Sequence, residues 1–413
     1  MRTRKAVITH ALRTPFGSLG GSFAKGGVVT LGVELFQGLL KRSQLKPDTI
    51  DRVWLGQARP DPEHPNVAGI VTYRSGIPMD ASACTISQGA ASGLQAIMAG
   101  ARAVLSGEAE IVLAGGLDCP SAITPRREGQ ENLEQGPGGL WCALLREPYG
   151  AAAEHLAARF KVRPETMRAY AEESRRRIKA ARAAGLLDDQ VAQVHVRQGT
   201  RVSHTLKSDE YLLSEPKLPQ GFPFRRQNGL VPGETVSPLA DGGAGVILMT
   251  LDEARRRELE PLAQVGAGLS AGCDPRFAAL AEVEAVRGVC AKAGIRPGAF
   301  DLVELGETFA VDALVSRAEL DLEADRVNVL GGSLGLGHAF GATSARMVVS
   351  LLHEMVRRDC RKGLTGVSTS GGLGMAATFY RWETPERNLF AMPAREEMQP
   401  ENEKPYRREE VPS

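Results

Sequence analysis

Ser87-Gln88-Gly89-Ala90-Ala91-Ser92-Gly93-Leu94-Gln95-Ala96-Ile97 is the stretch whose reading decides the fold. A buried strand ends before it, and apolar residues at helical spacing follow it from Ala91 to Leu105. A strand that turns sharply into a helix gathers the N–H groups of the first turn, Ala90 to Gly93, at one point. The positive end of the helix dipole lies there too. A cysteine at such a point would have its thiolate stabilised. It would attack an acyl carbonyl carbon and hold the acyl group. Position 90 carries alanine, whose methyl group does neither. Ser92 does not replace it, because it lies two residues into the turn and an unassisted hydroxyl is a poor nucleophile.

The same order of elements recurs later in the chain. The first copy runs from Thr85 to Gly116: strand, glycine turn, long helix, the strand Ile111 to Ala114, then Gly115-Gly116. The second runs from Asn328 to Gly372: strand, glycine-rich turn, the helix Ala342 to Arg357, the strand Gly366 to Thr369, then Gly371-Gly372. Repeats of this size predict two similar halves facing each other. The alternative is that any alternating chain shows such order. Thr30 to Lys41 reads as a further helix and Ile50 to Gly56 as a strand, so the class is α/β. Between the copies lie the helices Ala151 to Phe160 and Pro164 to Ala184, then a polar, proline-dotted stretch from Gly199 to Arg226. The run Arg175-Arg176-Arg177 reads either as a solvated helix face or as a patch for the phosphates of an anionic ligand.

At 413 residues the chain is too long for one ordinary core, which implies two or three subdomains. Its 43% hydrophobic and 24% charged residues and its net charge of +1 are those of a soluble globular protein, without the basic footprint of a nucleic-acid binder. Six scattered cysteines form no C-x-x-C pair, so a structural zinc site is not expected. Reduced thiols and the lack of a signal-peptide core point to the cytoplasm. No apolar run approaches the ~18 residues of a membrane span.

Five further segments matter in order. They are Ala114-Gly115-Gly116-Leu117-Asp118, Val236-Ser237-Pro238-Leu239-Ala240-Asp241-Gly242 and Glu304-Leu305-Gly306-Glu307-Thr308-Phe309-Ala310. Gly337-His338-Ala339-Phe340-Gly341-Ala342 and Ser368-Thr369-Ser370-Gly371-Gly372-Leu373-Gly374 follow. Together with the opening stretch, this ordered set resembles the thiolase superfamily, over about Lys5 to Glu383. The opening stretch is similar to that family's nucleophile segment, with Ala90 where the family has cysteine. Ser237 falls in the loop that the resemblance places on the pantetheine arm of coenzyme A; it also reads as a simple turn cap. His338 falls in the family's Gly-His turn, and a structural histidine is the alternative. Ser368 stands where the family has a second, acid/base cysteine, and Gly306 where it often has an asparagine that holds a water. A serine hydroxyl titrates too high to exchange protons as a thiol does. Phe309, Ser370 and Gly371 are expected to line the substrate. Cys119, at a strand end, is either a small buried residue or a displaced nucleophile.

The resemblance implies a thiolase fold, a five-layered α/β/α/β/α arrangement of two similar halves with an inserted loop domain. The N-terminal half is expected at 1–118 with 242–253, the loop domain at 119–241, the C-terminal half at 254–383, and a charged tail at 384–413. It also implies an acyltransferase acting on acyl-coenzyme A or carrier-bound thioesters, with coenzyme A as substrate and no cofactor or metal. Homodimers or dimers of dimers are implied, with the strand near Thr85 at the interface. So is a small partner protein in some relatives, for which the tail from Pro385 is a candidate docking arm. Two readings of Ala90 stand. In one it replaces a natural cysteine and silences an enzyme whose neighbouring residues are intact. In the other the chain is a natural non-catalytic subunit or acyl-thioester-binding protein, consistent with Ser368 and Gly306.

Overall fold

The apolar stretches pair into one mixed sheet in a computed structural model that describes residues 4–60, 64–123, 141–142, 144–198, 201–212 and 229–382. Its N-terminal part contains β1 (Ala6–Arg13), β2 (Arg52–Gly56), β3 (Ser82–Ile86), β4 (Ile111–Asp118) and β5 (Ala240–Thr250). They lie in the order β1-β5-β4-β2-β3. The C-terminal part contains β6 (Ala263–Gly272), β7 (Leu302–Leu305), β8 (Lys362–Thr369) and β9 (Leu373–Tyr380), in the order β6-β9-β8-β7. From β1 and from β6 outward the pairings match: antiparallel, antiparallel, then parallel. The internal duplication read from the sequence is therefore present in the topology. The parts join through β1 and β6 over only Val7–Gln264 and Ile8–Ala263.

Helices complete five layers. On the outer faces α1 (Gly27–Ser43) and α2 (Val67–Arg74) cover the N-terminal strands, and α6 (Ala279–Ala293), with α7 (Ala310–Glu319) packed on it, covers the C-terminal ones. Between them, α3 (Ser92–Ser106) and α8 (Gly341–Arg357) touch strands of both parts. This position explains why β4 and β5 are buried at every residue and read as continuous apolar and glycine runs. It also explains α8, whose polar residues are buried in contacts of their own. Ser344 Oγ accepts from Leu94 N at 3.1 Å, Arg346 meets Glu304 at 3.2 Å, and Ser350 Oγ donates to Gln190 Oε1 at 3.0 Å.

Two sequence expectations change. Gly115-Gly116 lies inside β4 rather than after it. Asn328 does not begin a strand. Its backbone takes φ +47°, and Val327 keeps a single parallel bridge to Val303. The Asn328 side chain takes over the strand's role: Oδ1 accepts from Leu305 N at 2.9 Å and Nδ2 donates to Leu305 O at 3.1 Å.

The inserted region contributes α4 (Gly150–Phe160), α5 (Pro164–Ala183) and a hairpin of Val194–Gln198 with Arg201–Leu206. Arg13 on β1 anchors it through a buried two-pronged pair to Asp209, at 2.6 and 2.9 Å. Residues 199–200 and 213–226 of that polar stretch and the tail from Pro385 lie outside the described residues. Among the described residues no helix is long and apolar enough to cross a membrane.

Candidate active site

Gly89 shapes the nucleophile turn. It takes φ +55°, and an added Cβ would lie 1.9 Å from Thr369 Oγ1. Ser92 closes the turn: its Oγ accepts from Gln88 N at 2.8 Å and donates to Gly89 O at 2.6 Å. The sequence assigned the first-turn N–H groups to a ligand. The structure commits three of these four instead. Ala90 N donates to Thr369 Oγ1 at 3.1 Å, Ala91 N to Gln88 O at 3.2 Å, and Ser92 N to Gly89 O at 3.0 Å. The left-handed turn at Gly89 brings the Ala90 N–H to Thr369, whose position next to Ser368 was the signal missed. Ala90 itself is buried, and its methyl presents no donor, acceptor or lone pair.

The facing turn belongs to α8. His338 N donates to Pro238 O at 2.7 Å, and Ala240 N donates to His338 O at 3.0 Å. These bonds fasten the Ser237 loop to the histidine. Thr343 Oγ1 accepts from Ala339 N at 2.9 Å and lies 3.2 Å from His338 Nδ1. When the Thr343 hydroxyl gives its proton to Nδ1, the imidazole carries its N–H on Nε2. Burial, aided by nearby Arg346, lowers the His338 pKa to about 4. The imidazole is therefore neutral at pH 7.

The two turns meet. A Cβ on Gly93 would lie 2.4 Å from Gly341 O, so the starts of α3 and α8 approach at backbone distance. Asp118, at the end of β4, holds this junction. Its carboxylate accepts from Ala58 N at 2.9 Å, Arg59 N at 3.0 Å and Gly341 N at 2.7 Å. Burial raises it to about 7, against the pull of these bonds and of Arg59. Phe340, between His338 and Gly341, takes φ +41° and ψ −116°. Such a backbone costs a bulky residue on the order of 1–3 kcal/mol and persists where surroundings enforce it.

Ser368 is buried on β8, its hydroxyl close to that of Tyr149. The Tyr149 ring meets Phe309 edge-on at 5.7 Å, and burial pushes its pKa well up, so it stays protonated. No sequence motif singled out Tyr149. Gly306 N donates to Glu282 Oε1 at 2.9 Å, and an added Cβ would meet Val367 at an ordinary 3.7 Å. Glycine there is not forced by sterics. Ser237 is turned inward: its N donates to Thr308 O at 3.0 Å and its hydroxyl to Glu307 O. Its hydroxyl is thus engaged as a turn cap. Ser370 and Gly371 lie half-buried in the turn between β8 and β9, with Gly371 at φ +82°.

Other candidates are set aside. Cys119 is fully buried, and burial drives its thiol far above the ordinary range, so no thiolate forms. Arg176 and Arg177 pair with Glu173, and Arg175 donates to Glu234 O. The arginine run is therefore a paired helix face.

Comparison with known proteins agrees with this geometry. The chain matches the thiolase N-terminal domain over residues 6–252 and the thiolase C-terminal domain over 259–381. It is 34% identical over 391 residues to an acetyl-CoA acetyltransferase of Chromobacterium violaceum, covering 91% of this chain and 100% of that one. It superposes on the crystal structure of the Bacillus anthracis acetyl-CoA acetyltransferase with a TM-score of 0.84 at 30% identity, covering 92% and 99% of the two chains. On human mitochondrial 3-ketoacyl-CoA thiolase in complex with CoA the TM-score is 0.81 at 30% identity, again covering 92% and 99%. With duplicated halves, two facing glycine turns and both domain matches in hand, the chain belongs to the thiolase family.

Proposed function

We propose that this chain is a thiolase-type acyltransferase scaffold for acyl-coenzyme A or carrier-bound acyl thioesters, with no competent nucleophile at position 90. One observation carries the reading. The neutral His338, its Nδ1 against Thr343, sits on a turn packed backbone to backbone against the start of α3, where Ala90 lies. A cysteine at 90 would attack the thioester carbon through sulfur. The carbonyl electrons would move to oxygen, where the Nε2–H of His338 would donate, and collapse would expel coenzyme A thiolate, which takes up a proton. The Ala90 methyl forms no such bond, so the thioester would bind and persist.

The acetyltransferase names of the relatives and the CoA held by the human neighbour support acyl-coenzyme A as substrate. Incubation with acetyl-coenzyme A followed by intact-protein mass spectrometry tests the proposal. No covalent mass gain is expected, and a stable gain of one acetyl group would overturn it. A second reading, a natural non-catalytic member of a heteromeric complex, is favoured by the Ser368–Tyr149 hydroxyl pair, which fills the second thiol's place with groups that do not ionise near neutrality. Self-association through the edge strand β3 is proposed on the same resemblance, as a homodimer or a dimer of dimers; the exposed Tyr73 of α2 and Met79 of the turn after it lie beside the start of that strand. Sedimentation of the full chain tests it, and a monomer would overturn it.

A further inference from the structure

The segment that leaves β2, Gln57-Ala58-Arg59, brings an arginine to the buried side of the Gly-His turn. Ala58 N and Arg59 N share the Asp118 carboxylate with Gly341 N, which fixes Arg59 against the start of α8. Arg59 is only 6% exposed, yet its guanidinium makes no hydrogen bond among the described residues. Its contact is the Phe340 ring, with Cζ 5.5 Å from the ring centroid. That ring in turn lies 5.4 Å from the imidazole of His338. Asp118, the acid that acts on Arg59, already has both oxygens engaged by the three backbone N–H groups. Leu19, Ala58, Leu239 and Phe340 pack together beside it and keep the region apolar.

A guanidinium this little exposed, meeting no acceptor among the described residues, is costly to hold. A carboxylate that reaches it gains paired, charge-assisted hydrogen bonds. An apolar chain end at the same place leaves the cation desolvated and unpaired. Phe340, with its strained backbone, thus contacts both the imidazole of His338 and the guanidinium of Arg59 through one ring. We propose that Arg59 recognises a carboxylate at the far end of the acyl chain, so that the site selects ω-carboxyacyl thioesters over unsubstituted ones of equal length. This rests on the thioester reading given above.

Calorimetric titration of the full chain tests it. The ligands are succinyl- against butyryl-coenzyme A, glutaryl- against valeryl-coenzyme A, and coenzyme A alone. At least one carboxylated ester should bind about tenfold to a hundredfold tighter than its partner, the range of a charged hydrogen-bond set. Arg59→Met should remove that preference by weakening the carboxylated ester, and Arg59→Lys should keep part of it. Equal affinity within both pairs on the unaltered chain, a measurement that needs no variant to fold, would overturn the role of Arg59 and leave the thioester reading standing. A preference that survives in folded Arg59→Met would overturn it as well. If coenzyme A and all four esters fail to bind, the thioester reading itself is wrong and this proposal falls with it.

Discussion

The starts of α3 and α8 are built alike and equipped differently. Each follows a glycine turn, and each is closed by a hydroxyl that accepts a backbone N–H four residues back: Ser92 from Gln88, Thr343 from Ala339. Each is also tied to the other half of the molecule, α3 through Leu94 N to Ser344 Oγ and α8 through Gly341 N to Asp118. One turn presents a neutral imidazole, the other a methyl group. The lesson is that the position of a reactive group is set by backbone hydrogen bonds and glycine contacts. None of these depends on the side chain at 90, so its loss leaves the frame intact.

The most severe way to break the comparison is to equip the empty turn. Ala90→Cys is expected to take the chain from no covalent adduct to stoichiometric acylation by acetyl-coenzyme A, read as a mass gain. The cysteine would stand at a helix start beside an intact His338 turn. A folded variant that binds coenzyme A and forms no adduct would show that the two turns differ in more than one side chain, and would favour a natural non-catalytic subunit.

The next step removes the equipment of the other turn. In the Ala90→Cys background, His338→Ala is expected to slow acylation about a hundredfold or more, because an aimed donor is worth ~3–4 kcal/mol against a developing oxyanion. Affinity for coenzyme A should change little. Acylation at the parent rate would remove His338 from the chemistry.

Much of this comparison was legible in the sequence, because glycine turns and apolar periodicity carry their structural consequences locally. The halves, α3, α8, the alanine at 90 and the Gly-His turn all follow from short segments. What was not legible depends on contacts distant in the chain. Thr369 meets Ala90 across 279 residues, and Tyr149 reaches Ser368 from the inserted region. The repeat of element order predicts a strand at Asn328. That its side chain would replace the strand's backbone bonds has no local signature. Ser237, read as a candidate ligand contact, directs its hydroxyl to a carbonyl that lies 70 positions away.

The difference between the turns should also show in stability against pH. The folded pKa of His338 is about 4, below the ~6.5 of an unfolded chain. Between these values the unfolded state binds a proton that the native state refuses, so stability falls as pH drops through this window. Asp118 and Glu282, each raised to about 7, act with the opposite sign, because the native state holds their protons more tightly. They cancel when two variants are compared. Urea unfolding of the parent and of His338→Gln at pH 7.5 and 4.5 isolates the histidine. The parent should lose about 2–3 kcal/mol relative to the variant over that interval. Parallel losses would mean that His338 titrates normally.

The smallest expected effect is the most discriminating about the α3 turn. Thr369→Val keeps the shape of the side chain but removes the acceptor of the Ala90 N–H, a bond of 3.1 Å. The site is buried, Thr369 being 4% exposed, so water does not readily replace the lost partner. The unfolding free energy should fall by about 1 kcal/mol, the net worth of one such bond. The kinetic consequence should have the opposite sign. An N–H donating to Thr369 is not available to a substrate oxygen, so releasing it in the Ala90→Cys background should hold or raise the acylation rate while stability falls. Stopped-flow acylation and urea unfolding on the same variant measure both. If Thr369→Val instead slows acylation tenfold, the threonine positions the nucleophile turn for chemistry. The bond that now closes the α3 start would then be part of the catalytic arrangement rather than its substitute.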